Sequence, residues 1–114
     1  MAVFEHPRAG FQLVKGGIKS NESPEAASAR ELFEESGLET RATLALGQSG
    51  KIADEQLWHF TLCRIAPPVR DRWQHFTRDD GGHLFRFHWL NLQDQTPDWH
   101  PHFQAAINWI KAAI

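Results

Sequence analysis

An α/β fold is expected for this chain: a mixed β-sheet sandwiched between helices (α/β/α) in one domain spanning residues 1–114. Three features of the sequence lead there. A capped helical segment lies in the first third, alternating apolar strands stand before and after it, and a second apolar helical stripe closes the chain. A chain of 114 residues has room for one domain and one proper core.

Taken in order, Ala2 to His6 reads as a short strand and Pro7-Arg8-Ala9-Gly10 as a turn. Phe11 to Val14 continues as an extended piece that runs into Gly16-Gly17. The first strand starts at the initiator Met, so an N-terminal edge strand is expected to be shortened or absent. Ser23-Pro24-Glu25 is a helix start, with Ser as N-cap, Pro at the first helical position and an acid in the first turn. Gly37 is its natural stop, which predicts a helix over Pro24 to Ser36 with Ala26, Ala29 and Phe33 as the buried stripe. Ala42/Leu44/Leu46, Trp58/Phe60/Leu62 and Phe85/Phe87/Trp89 alternate as half-buried strands. Pro67 to Gly82, rich in charge and ending Asp79-Asp80-Gly81-Gly82, reads as a loop. From His102 to Ile114, the residues Phe103, Ala106, Ile107, Ile110 and Ile114 fall on one helical face.

Composition narrows the function classes. Twelve basic against 14 acidic residues give a formal net charge of −2, which disfavours broad binding of a nucleic-acid polymer but leaves a single nucleotide open. One cysteine, Cys63, excludes an internal disulfide and a thiol zinc cluster. No apolar run approaches the ~18 residues of a membrane span, and the N-terminus lacks the pattern of a signal peptide. A soluble domain in the reducing cytoplasm is expected.

The informative stretch is Gly16-Gly17-Ile18-Lys19-Ser20-Asn21-Glu22, followed after seven residues by Arg30-Glu31-Leu32-Phe33-Glu34-Glu35-Ser36-Gly37-Leu38. Glu31, Glu34 and Glu35 stand at i, i+3 and i+4, so they share one helical face with Cβ atoms ~5–6 Å apart, roughly opposite the Ala26/Ala29/Phe33 stripe. Two charges ~5 Å apart at an effective dielectric of ~20 repel by roughly 3 kcal/mol. A solvated acidic face, protonation or nearby cations are ways to live with this. A hard divalent cation is a better one, since magnesium prefers carboxylate oxygens with waters and substrate phosphates. Gly16-Gly17 adds bare backbone that can approach a metal or phosphate closely.

Residues 16–38 resemble the Nudix box, G-x5-E-x7-R-E-U-x-E-E-x-G-U with U aliphatic. Gly16, Glu22, Arg30, Glu31, Leu32, Glu34, Glu35, Gly37 and Leu38 fill every defined position. The resemblance implies a hydrolase that cleaves a pyrophosphate bond in a nucleoside diphosphate linked to another moiety, or in a related organic pyrophosphate. It implies Mg2+ or Mn2+ as cofactor and a small nucleotide-type substrate, and homodimers are common in the family. By similarity Glu31 and Glu35, with the Gly16 carbonyl, would ligate metal, and Glu34 would ligate metal or act as general base, a role that falls on different acids in different family members. Glu34 and Glu31 would be catalytic, and Glu22, Arg30 and Gly37 would be structural. Two departures stand out: Lys19 replaces a common acid, and Ser20-Asn21 replaces a common Pro-Gly. The rival function is a Nudix-fold module that binds or senses a nucleotide without cleaving it.

Outside the box, Lys15, Lys19, Trp73 and Arg78 are the substrate-binding candidates. The lysines and Arg78, with Arg70 and Arg72, offer charge to phosphate, and Trp73, placed in the polar loop, offers a ring to stack on a base. Glu55, Asp79 and Asp80 are candidates for an additional metal-binding acid, and His75 or His83 for a phosphate contact. Trp58 and Trp89 read as core, and Cys63 as buried and inert.

Overall fold

The computed structural model describes residues 1–6, 10–78, 81–94, 99 and 101–114. Its elements are β1 (Ala2–His6), β2 (Gly10–Gln12), α1 (Pro24–Ser36), β3 (Thr40–Ser49), β4 (Trp58–Ile65), β5 (Arg72–Thr77), β6 (His83–Trp89) and α2 (Pro101–Ala113). The α/β character and both helices follow the sequence reading. The sheet does not form as one unit. The described strands divide into a four-stranded sheet, ordered β2-β1-β6-β5, and a two-stranded β3-β4 hairpin. All of their ladders are antiparallel, and parallel pairing is seen at an isolated bridge between Phe11 and Trp99.

Register explains the main core. Phe4 faces Phe87 across β1 and β6, and Phe87 faces Trp73 across β6 and β5, so one sheet face is an aromatic row. Phe4 stacks on Phe85 at 4.3 Å and Trp73 on Phe87 at 5.2 Å. A second cluster gathers Ile52, Phe60 and Ala106 under α2, with Phe60 stacked on Trp109 at 4.2 Å. α2 thus buries Phe103, Ala106 and Ile107, as its stripe requires, while Ile114 remains exposed.

Three expectations need correction. The segment read as a loop from Pro67 to Gly82 contains β5; Trp73 and His75 are half-buried against β6 and α1, partners that a local reading does not contain, while Phe76 is exposed. Along the hairpin Leu46 and Trp58 are half-buried and Phe60 is buried, whereas the cross-strand pair Leu44 and Leu62 stands exposed. The third concerns α1. Its anticipated apolar stripe faces solvent, with Phe33 52% exposed, while Ala27 at 3%, Glu35 at 8% and Ser36 are buried. The helix packs against strands of both sheets through small side chains, and this turns its carboxylate-bearing side inward.

Candidate functional site

The site is built from the turn before α1 and the helix itself. Asn21 holds φ at +64°, a left-handed conformation that glycine adopts freely and asparagine tolerates best among the other residues. The turn is closed by the Glu22 N–H donating to Lys19 O at 3.2 Å and the Lys19 N–H donating to Glu22 Oε1 at 3.0 Å. Ser23 Oγ then accepts from the Ala26 N–H at 3.0 Å, and Pro24 opens the helix. Nothing local accounts for the remaining order; a single side chain supplies it.

That side chain is Arg30. Its Nε and Nη2 donate to the two oxygens of Glu22 at 2.8 and 2.9 Å, and Nη2 also donates to Gly17 O at 2.8 Å. Nη1 donates to Glu31 Oε1 at 2.7 Å and Glu34 Oε2 at 3.2 Å. A planar guanidinium with five donors can tie a loop carbonyl and three carboxylates together, which an ammonium cannot. Hydrogen bonds from Arg30 and from the Lys19 N–H hold the Glu22 carboxyl down to about 2, and the same contacts to Glu22 and Glu31 raise the Arg30 pKa further, keeping it charged.

The three helix acids have different surroundings. Glu31 lies directly over the Gly16 backbone, so closely that a Cβ on residue 16 would fall inside its carboxylate. It lines a cavity of about 810 Å³ together with Lys15, Gly16, Gly17 and Ser28. Glu35, buried, lines a neighbouring cavity of about 330 Å³ with Gln12, Lys15, Gln56 and His102. Glu34 is outermost, its side chain 42% exposed. Among the described residues no three His, Cys, Asp or Glu side chains are already gathered in ligand geometry. The donor set nonetheless suits a hard divalent cation: carboxylate oxygens on successive turns, beside glycine backbone at a cavity mouth.

The C-terminal end of α1 is clamped from β5. Gly37, at φ +78°, donates its N–H to Phe33 O at 2.8 Å and has the His75 ring packed against its Cα. His75 Nε2 lies 3.1 Å from Glu34 O, and the Trp73 indole N–H donates to Ser36 O at 2.9 Å. These contacts satisfy the carbonyls that a helix end leaves unpaired. Trp73 is therefore a half-buried strand residue stacked on Phe87, which corrects its placement as a loop ring offered to a base. His75 likewise packs on the helix end. Residues alternating in a charged segment were the available signal for this clamp, and they were read as loop.

Of the other candidates, Lys15 lines both cavities and holds its ammonium 4.8 Å from the centre of the Trp58 ring. Lys19 is exposed and contributes its backbone N–H to the turn. Arg78 is exposed after β5, and neither it nor Glu55 lines either cavity. Asp79 and Asp80 lie outside the described residues. Cys63 is half-buried, and burial raises its thiol pKa. No helix among the described residues is long and apolar enough to cross a membrane.

A family model described as NUDIX domain matches residues 2–110 of the chain. Among curated proteins and among solved structures, none matches it significantly.

Proposed function

The chain belongs to the Nudix family, whose members are generally hydrolases of pyrophosphates, and on that premise we propose that it cleaves a pyrophosphate bond in a nucleoside diphosphate derivative or a related organic pyrophosphate. The observation that carries the reading is the seating of Glu31 on bare Gly16 backbone, with Arg30 joining Glu22, Glu31, Glu34 and the Gly17 carbonyl. Glu31 and the Gly16 backbone line a cavity large enough for a small substrate, which supports the reading.

Mg2+ or Mn2+ is the cofactor we propose, held by Glu31, Glu34 and Glu35 with the Gly16 carbonyl. When bound, it would supply charge to the phosphoryl oxygens and lower the pKa of a water. The protein's own groups do the rest. Arg30 anchors the loop to the helix, so that Gly16 and the acids keep one spacing. Lys15 is placed to meet a phosphate at the junction of the two cavities. Glu34, the most exposed acid, takes a proton from the attacking water as its oxygen bonds to phosphorus, and the bridging P–O bond breaks to release the second phosphate. The test is phosphate release from a panel of diphosphate derivatives with magnesium and with manganese. Glu34→Gln or Glu35→Gln should remove most turnover, by about two orders of magnitude or more, with thermal stability retained. Unchanged rates in both variants would sink the assignment.

A further inference from the structure

We infer that the cavity accepts a diphosphate carried on a hydrocarbon moiety in preference to a nucleoside. This rests on the pyrophosphatase reading and names the substrate class of that same site.

The described lining of the cavity is mostly apolar, with Lys15, Ser28, Glu31, Gln56, His59 and Thr61 as its main polar side chains. Glu31, Lys15 and the Gly16-Gly17 backbone stand where a diphosphate and its counter-charges belong. The same lining carries Leu46, Phe60, Phe103, Ala106 and Ile110 from β3, β4 and α2. A second observation points the same way. Ile18, Leu57, Leu62 and Ile114 are large hydrophobic side chains left exposed by the fold, and all four line this cavity. Apolar side chains kept in water around one opening cost stability unless something apolar enters.

Reading a nucleoside requires different groups. A ribose diol is typically held by a carboxylate, and a base edge by donors and acceptors in its plane. Among the described residues Glu31 is the one acid that lines this cavity, and it lies against Gly16. Of the side-chain amides, Gln56 lines the cavity, but its Oε1 already accepts from the Trp58 indole N–H at 2.8 Å. The Trp58 ring, the natural stacking platform, has the Lys15 ammonium over it. From β4 the described lining adds His59, Thr61 and the Cys63 thiol, a small set for reading both sugar and base. A volume of about 810 Å³ admits a chain of ten carbons or a fused ring system with its diphosphate.

The test compares ligands with one head group that cannot be cleaved: methylenediphosphonate, its geranyl ester and its adenosine ester, titrated calorimetrically into the full chain with magnesium. The geranyl ester should bind at least about tenfold more tightly than the parent diphosphonate, the worth of two buried methylenes, and the adenosine ester no more tightly than the parent. Leu57→Ser and Leu62→Ser, both at exposed positions that leave the core intact, should reduce the geranyl advantage and leave the affinity for the parent as it was. Tighter binding of the adenosine ester, or equal affinity for all three, overturns the inference. Hydrolysis is read separately with geranyl diphosphate and ADP-ribose. Geranyl preference without cleavage of either supports the inference and overturns the activity, whereas cleavage combined with adenosine preference does the reverse.

Discussion

At Gly16 the need for glycine is steric. The Glu31 carboxylate occupies the space a side chain would take, so Gly16→Ala must push Glu31 aside. Glu31 is a flexible side chain that can move, and alanine also limits the unfolded chain, so the melting temperature should change little. Turnover should fall by about two orders of magnitude, the usual effect of an ångström-scale misplacement. A loss of stability matching the loss of activity would mean that Gly16 serves the fold and not the acid. Glu22 gives a second residue-scale expectation. Its carboxyl titrates at about 2 when folded because of Arg30, below its unfolded value, so its stabilising effect is complete above the ordinary carboxylate range and is lost as pH falls toward 2. Denaturation followed from roughly pH 5 to pH 2 should show a shallower loss of stability for Glu22→Gln than for the native chain. Parallel curves would show that the Arg30 contact does not shift the titration.

At the scale of elements, α1 shows both the reach and the limit of the sequence. Its ends were legible because Ser23, Pro24 and Gly37 act through local chemistry: a side-chain cap, a preset φ and a left-handed stop. Its orientation was not. Phe33 made the outer stripe look apolar, yet the helix buries Ala27, Glu35 and Ser36, because packing is decided by the strands it meets and by how closely they approach. Ala27→Leu should destabilise by about 1–3 kcal/mol through overpacking. Phe33→Gln should lie within about 0.5 kcal/mol of the native chain in the same denaturation experiment. The opposite ranking would restore the stripe first inferred from spacing. β5 was missed for a related reason: the partners that bury Trp73 and His75, Phe87 and the end of α1, are distant in sequence.

For the whole molecule, the two sheets and two helices surround a site whose residue identities were readable but whose surroundings were not. The order Gly16, Glu22, Arg30, Glu31, Glu34 and Glu35 was visible as a motif. That Glu31 and Glu35 would line separate cavities, with Lys15 and Gln56 on both, depends on residues distant in sequence, such as Phe103 of α2, which lines both as well. Arg30 is the shared cationic partner of Glu22, Glu31 and Glu34, and Glu31 lies against open backbone at Gly16. The central claim is that this row of acids holds a divalent cation. Calorimetric titration of magnesium into the protein measures that directly. A saturable heat should be seen with the native chain and be abolished or weakened at least about tenfold in Glu35→Gln. No heat with the native chain, or the same isotherm in both proteins, would contradict it.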